Sequence, residues 1–247
     1  MGTRTLWGLH YSPWTEKARW ALDHHGVDYR YREYQPLLGE PGLRWRARRR
    51  PPGTPASVPL LIDGQELVGD STDIARLADR LGQGAPLFSA ERESDIARWL
   101  DASDRALRSV RALVINAILD SPQAQVEALP APFPSAARPA LRSVARMGSN
   151  FIANKYGADL EARARHADTL DQFCRQLDAA LDGPYLLGEL SYADLACAVV
   201  LNGVAPLRER FFADKPATHE AWTRAELAGK HARLIEWRDQ LYREHRG

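Results

Sequence analysis

The spacing of the apolar residues changes once along this chain, and that change constrains the fold more than any other feature. Up to Gly82, short strand-like runs alternate with amphipathic helical ones; from Ala90 onward the pattern is helical throughout. "TRTLWGLHY" is a short apolar strand. "SPWTEKARWALDHHG" is a helix opened by Ser12 at the N-cap, Pro13 at the first helical position and Glu16 in the first turn, and stopped at Gly26. Its Trp14, Ala18, Ala21 and Leu22 share one face. "VDYRYREY" alternates as a second strand, and a loose basic stretch, "LRWRARRRPPGTPAS", follows. "VPLLIDGQELV" then reads as two strands around Asp63-Gly64, a hairpin signal. "DSTDIARLADRLG" is a helix capped by Ser71 or Thr72 and ended by Gly82. The order β-α-β, loop, β-β-α describes a small layered α/β domain over residues 1–82.

"GQGAPLF" is the linker to an all-helical domain over residues 90–247. Its first helix carries Ile96, Leu100, Leu107, Val110 and Val114 at helical spacing. A proline-rich connection follows, with Pro122, Pro130, Pro132, Pro134 and Pro139. Further helices are predicted near Ala140–Tyr156, Asp159–Leu181, Tyr192–Val204 and Thr218–Arg246, the last broken near Gly229. The 247 residues suit two compact domains, and an apolar fraction of 45% supplies a core for each. A formal net charge of +1 argues against a nucleic-acid partner held by bulk electrostatics. "LVINAIL" and "LACAVVL" are too short to span a bilayer, and "MGTRTLWGLH" lacks the apolar core of an export signal, so no membrane partner is expected and the chain reads as cytoplasmic. The two cysteines, Cys174 and Cys197, fall on apolar helix faces and read as core residues in a reducing compartment.

Three places carry chemistry. Ser12, Pro13 and Trp14 open a helix, where free N–H groups and the positive dipole end favour an anion. There the Ser12 hydroxyl either caps the helix or donates to a bound thiolate. Pro59 begins a strand without a ladder donor, which places it at an edge or a special turn. A cis Val58–Pro59 bond is expected, turning the Val58 main chain outward for a peptide-like ligand. Asp70-Ser71 follows a strand and opens a helix. The pair is either an ordinary cap or a seat for a zwitterionic amino acid, Asp70 on the ammonium and Ser71 on the carboxylate. No metal site is expected: His24 and His25 are adjacent and do not share a helix face.

Together these three elements resemble the glutathione transferase family. "SPWTEKARWAL" resembles the helix-opening motif of its serine-type classes, such as the plant tau and zeta classes, and "VPLLIDGQELVGDS" resembles its V-P…(E/D)-S segment. "LSYADLA" resembles the capping box of the core helix in its helical domain, with Ser191 capping, Asp194 reaching back and Leu190 packing near Leu195. The resemblance runs through the whole chain in order and points to the cytosolic, serine-type, bacterial-like members.

It implies a thioredoxin-like domain followed by an all-helical domain, a homodimer, and a detoxifying transferase. Glutathione would be the co-substrate, with no tightly bound cofactor, and a small hydrophobic electrophile its reaction partner. Ser12 would activate the glutathione thiol, with Tyr11 and Thr15 as alternative hydroxyls. Val58 and Pro59 would hold the cysteinyl main chain, and Asp70 and Ser71 the γ-glutamyl end. Tyr11, Trp14 and Arg108 are candidates to line the electrophile site. Arg105 and Arg111 are further candidates, with a solvated face as the other reading for these arginines. Peroxidase or isomerase chemistry would use the same thiolate. A thiol oxidoreductase would carry Cys in place of Ser12. The chain departs from the family in placing Ser57, not Lys or Gln, before Val58-Pro59. One of Arg48, Arg49 or Arg50 is a candidate for the missing cation, although an arginine run more often marks a solvated face. This departure motivates the alternative of a binding or scaffold protein that keeps the fold without turnover.

Overall fold

The computed structural model describes residues 4–51, 53–129 and 141–246. A four-stranded mixed sheet, ordered β2-β1-β3-β4, organises the first part of the chain. Strand β1 (Thr5–Gly8) pairs parallel with β2 (Arg30–Glu33) and antiparallel with β3 (Leu60–Asp63), which pairs antiparallel with β4 (Glu66–Gly69). The Gly64-Gln65 turn joins β3 to β4, with Gly64 at φ +58°, a conformation that glycine adopts without steric cost.

The two faces of the sheet follow from the two-residue period of its strands. Leu6 and Gly8 point to the side of α1 (Pro13–His24), where a Cβ on Gly8 would lie 2.4 Å from Thr15 Cγ2. Helices α1 and α3 (Ser71–Leu81) pack against each other. Trp7, Leu60 and Ile62 form the other face and pack with Tyr34 and with Leu43 of α2 (Glu40–Ala47). Helix α2 begins three residues before the stretch that reads as loose from sequence and runs into its first five residues. Its burial rests on Glu40, Leu43 and Ala47 alone, a stripe too thin to show among the arginines.

The linker is fastened to α1 and α3. His24 Nε2 donates to the Ala85 carbonyl at 2.9 Å, Gln83 N–H donates to the His25 carbonyl at 3.1 Å, and Leu87 N–H donates to Asp79 Oδ1 at 2.6 Å. Gly82 is needed for this approach, since a Cβ there would stand 2.3 Å from the His25 carbonyl oxygen. His25 is buried, with Nε2 3.0 Å from Asp79 Oδ1 but off the hydrogen-bonding direction. Burial, helped by the neighbouring His24, holds its pKa below the usual histidine range in spite of Asp79.

Beyond the linker every regular element is helical among the described residues: α4 (Glu93–Asp120), α5 (Pro122–Glu127), α6 (Arg142–Lys155), α7 (Arg163–Ala180), α8 (Tyr192–Leu201), α9 (Arg208–Phe211), α10 (Pro216–Trp222), α11 (Ala225–Lys230) and α12 (Ala232–His245). The chain is therefore an N-terminal thioredoxin-like α/β domain followed by an all-helical one. Ile96, Leu107, Val110 and Val114 of α4 are buried as their spacing predicts, and Leu100 is half-buried. The proline-rich connection begins with α5, where the Ser121 hydroxyl accepts from Ala124 N–H; Pro130, Pro132, Pro134 and Pro139 lie outside the described residues. The last predicted helix is three helices. Its breaks fall at Thr223-Arg224 and at His231, while Gly229 sits inside α11. No helix among the described residues is long and apolar enough to cross a membrane.

By packing, the chain divides into two compact units. One comprises residues 1–99, 182–199 and 239–247, the other residues 100–181 and 200–238. In the second unit Asn116 Nδ2 donates to the Leu160 carbonyl, buried Arg238 donates to Asn202 Oδ1 at 2.7 Å, and the Glu127 carboxylate caps α10 through Thr218 N–H. Cys174 and Cys197 are buried free thiols; burial pushes Cys174 up to about 12 and Cys197 well above its ordinary value. In the first unit, fully buried Asp194 accepts from Ser191 N–H (2.9 Å), Ser191 Oγ (2.7 Å) and Leu186 N–H (2.7 Å). Here the capping serine donates to the acid, whereas in the usual reciprocal box its oxygen accepts from the helix. Hydrogen bonds to a charged acceptor contribute about 1.5–3 kcal/mol each and leave orphaned buried donors when lost. Asp194→Ala should therefore lower unfolding free energy by about 3 kcal/mol or more, read as a fall in the denaturation midpoint. A loss under about 1 kcal/mol would show that the three donors find other partners.

Candidate functional site

Strand register assembles the sequence-predicted residues at one end of the sheet. Trp7 pairs with Leu60, so the chain leaving β1 at Leu9 is level with Val58-Pro59. Leu60 pairs with Gly69, so Asp70-Ser71 leaves β4 at the same end. The loop bearing Tyr11 and Ser12, the Val58-Pro59 segment and the Asp70-Ser71 turn thus stand side by side on three adjacent strands. Two inter-strand spacings measure about 10 Å, the length of an extended tripeptide.

Ser12 occupies the N-cap position of α1, and its carbonyl accepts from Glu16 N–H at 2.9 Å. Its side chain caps nothing. The hydroxyl is half-buried and has no partner among the described residues, which removes the capping role that the local pattern suggests. Thr15 has the opposite character: it is fully buried, and its Oγ1 accepts from Leu9 N–H at 3.2 Å, bracing the end of β1 against α1. The loop is held from the other side by Glu33, which accepts from His10 N–H at 3.3 Å and from Tyr31 Oη at 2.7 Å. Burial works to raise the Glu33 carboxyl, but the hydrogen bonds from His10 and Tyr31 outweigh it and hold its pKa below the carboxylate range. Tyr11 is half-buried, its ring edge-on to His10 with centroids 5.1 Å apart, and Trp14 is half-buried on the first turn of α1.

The Val58–Pro59 peptide is cis, as expected from its place before the hairpin. The Val58 main chain makes no hydrogen bond among the described residues. Asp70, not Ser71 or Thr72, is the N-cap of α3, its Oδ1 accepting from Thr72 N–H at 2.8 Å. Ser71 is buried, and its carbonyl accepts from Tyr192 Oη at 3.0 Å, which fastens the turn to α8 within the same unit.

The arginine run is sorted by its contacts. Arg48 lies 4.6 Å from the Trp45 ring centroid, and Arg49 donates to the Gln65 carbonyl and side-chain oxygen at the hairpin turn. Arg50 folds back to the site: Nη1 donates to the Pro55 carbonyl at 3.2 Å, and its guanidinium fills the space beside Gly69, where a Cβ would lie 2.6 Å from Cζ. A positive charge thus stands next to Asp70, close before Val58-Pro59, although Ser57 holds the position that the motif reserves for it. The sequence signal is Gly69 itself, the residue whose missing side chain makes the room. Arg105 and Arg108 on α4 are exposed. Arg111 is stacked 4.5 Å from the Tyr156 ring centroid, and burial pushes its pKa down to about 10. No group of three metal-ligating side chains occurs among the described residues.

Residues 6–86 match the family model "Glutathione S-transferase, N-terminal domain". Solved structures of low sequence identity share the fold over nearly the whole chain. A glutathione S-transferase domain-containing protein from Marinobacter aquaeolei is 15% identical over 97% of this chain and 98% of its own, with a TM-score of 0.63. A glutathione S-transferase from Methylobacterium radiotolerans, solved with glutathione sulfonate, is 15% identical over 98% and 92%, with a TM-score of 0.61. One from Methylobacillus flagellatus, solved with glutathione bound, is 14% identical over 98% and 96%, with a TM-score of 0.60. No curated protein sequence matches the chain.

Asp70 has φ +88°, on the side of backbone space that disfavours any residue with a Cβ. Asp70→Gly loses only a few tenths of a kcal/mol of capping and relieves a conformation costing on the order of 1 kcal/mol, so it should be neutral to slightly stabilising. Asp70→Ala loses the cap and keeps the unfavourable φ, so it should cost about 1 kcal/mol more than the glycine variant. Chemical denaturation of the two variants decides this; equal losses would mean that Asp70 sits there without strain.

Proposed function

We propose that this protein is a glutathione transferase in which Ser12 activates the thiol of glutathione toward a hydrophobic electrophile. The observation that carries the proposal is the half-buried Ser12 hydroxyl, unpartnered among the described residues, at the N-terminus of α1 and level with the unpaired main chain of Val58. A structural cap would spend that hydroxyl on a helix N–H; this one is left to donate.

The magnitudes are sufficient. A free thiol ionises near pH 8.5. Lowering its pKa by about two units requires roughly 2.7 kcal/mol of preferential thiolate stabilisation. One hydrogen bond to the anion supplies about 1.5–3 kcal/mol and the helix N-terminus up to about 1 more. The Val58 N–H and C=O pair with the cysteinyl main chain of glutathione, as a strand would. Asp70 binds the γ-glutamyl ammonium, while the Ser71 hydroxyl and the α3 N-terminus bind its carboxylate. Arg50, the cation next to Asp70 and close before Val58-Pro59, takes a carboxylate of glutathione, supplying the charge that Ser57 cannot. The thiolate then attacks the electrophile, its sulfur forming the new bond as the leaving group departs or as a proton is taken up from water. Structures of the same fold solved with glutathione sulfonate and with glutathione support this co-substrate. The two buried free cysteines fit a reducing, cytoplasmic setting, and a homodimer is proposed on the family resemblance.

Two measurements test the reading. Ser12→Ala should raise the pKa of bound thiol by one to two units, cut turnover of a model electrophile near pH 7 by about ten- to a hundredfold, and regain part of it at high pH. The ultraviolet absorbance of bound thiolate titrates the same group independently; if wild type and variant titrate alike, Ser12 is not the activating hydroxyl and Tyr11 becomes the candidate. Arg50→Ala should raise KM for glutathione about tenfold or more with kcat near wild type, because a carboxylate clamp remote from sulfur binds ground and transition states equally. An unchanged KM would return Arg50 to the solvated face. Glutathione binding without turnover of any electrophile would favour the scaffold reading that Ser57 motivates.

A further inference from the structure

Helix α1 is held at its base by a residue from the other end of the chain. Arg246, one residue beyond α12, places Nε 2.9 Å from Glu16 Oε1 and Nη1 2.6 Å from Asp23 Oδ2. The contact is buried: the Arg246 side chain is 4% exposed and the Glu16 side chain 2%. Trp20 of α1 adds a bond from Nε1 to the His245 carbonyl at 2.9 Å and a ring contact with Tyr242 at 4.5 Å. All of these residues belong to one compact unit.

A buried ion pair is a poor device for stability alone, since desolvating two charges offsets most of their attraction and an apolar pair of the same volume does as well. Its placement points elsewhere. Glu16 stands one helical turn below Ser12 on the same face, its N–H bonded to the Ser12 carbonyl. A carboxylate there opposes a thiolate at Ser12 unless a cation cancels it. Arg19 lies near the same cluster, and Tyr242 adjoins Arg246. Burial acts to lower the Arg246 pKa, but Glu16 and Asp23 more than reverse it, so the guanidinium is charged at every pH of interest.

We propose that Arg246 is a positioning residue for Ser12: it fixes α1 through Glu16 and Asp23 and cancels the Glu16 charge beneath the seat of the thiolate. The second half rests on the reading of Ser12 as thiolate donor; the first half does not.

The experiment compares the full chain with Arg246→Met, Arg246→Lys and the double variant Glu16→Gln/Arg246→Met. Without any ligand, amide exchange of residues 16–20 should rise at least tenfold in Arg246→Met while that of α3 stays near wild type. Unchanged exchange in α1 overturns the positioning role. With glutathione bound, the thiol pKa should rise by about 0.5–1 unit in Arg246→Met, the effect of one unit charge within roughly 10 Å of a partly buried group. It should return most of the way in Arg246→Lys and in the double variant, where no charge of either sign remains on the pair. A double variant as alkaline as Arg246→Met overturns charge cancellation, because a purely structural role would not be rescued by removing Glu16's charge. If Arg246→Met fails to fold, Glu16→Gln breaks the same pair from the other side: exchange in α1 should rise and the bound thiol pKa should fall, since one carboxylate is gone and Arg246 stays charged, and wild-type values of both overturn the proposal. A wild-type protein that ionises no bound thiol refutes the Ser12 reading and with it the charge half; the ligand-free exchange still decides whether Arg246 holds α1.

Discussion

The pairing of β1 with β3 in the register Trp7 to Leu60 is the constraint on which the rest of the site depends. One residue of slip would turn either Leu6 or Leu61 away from the helix-covered face and put residues of the α2 face in its place, so burial locks the register. The same register sets Leu9 level with Val58, and through Leu60 opposite Gly69 it sets Asp70 at that end too. The candidate site is therefore a by-product of how the core packs. Its three segments need no contacts with one another to be aligned.

Polar side chains do the fastening wherever the backbone leaves regular structure. Thr15 ties Leu9 to α1, Glu33 ties His10 to β2, Asp79 ties Leu87 to α3, and Asp194 ties Leu186 and Ser191 to α8. Each is a side-chain oxygen that takes up a main-chain N–H a loop would otherwise leave unpaired, the condition for burying irregular backbone. Against this thoroughness the exceptions stand out. The Ser12 hydroxyl and the Val58 main chain are unpartnered among the described residues, and they lie at the same end of two paired strands. Under the proposed function they are the groups with which a peptide-like ligand would pair.

The arginines illustrate how far a charge run is from a function. Arg46 lies over Trp7, Arg48 over Trp45, Arg44 pairs with Glu40 on its own helix, and Arg49 holds the hairpin turn. Four of the five between residues 44 and 50 are thus occupied in building α2 and its surroundings. Arg50 alone turns toward the candidate site, guided by the space above Gly69.

Much of this was legible in the linear chain. A short apolar run marked β1, alternation marked β2, Pro13 and Glu16 the start of α1, Asp63-Gly64 the β3–β4 hairpin, and Ser191 with Asp194 the start of α8; all are local effects of backbone conformation and short-range hydrogen bonding. Helix α2 escaped because its buried stripe is only Leu43 and Ala47 with Glu40, and the break at Thr223-Arg224 escaped because no glycine or proline marks it, whereas the break at His231 falls two residues from the one expected near Gly229. The sequence also named Ser12, Val58, Asp70 and Ser71, since each belongs to a short local motif. It left open whether the Ser12 hydroxyl was already used as a cap, which of three arginines approached the site, and what lay beneath α1. Those were decided only in three dimensions: by a cap bond that does not form, by a void at Gly69, and by an Arg246–Glu16 contact across 230 residues. No pattern in the chain encodes such a pair, because its partners are brought together by the packing of all that lies between them.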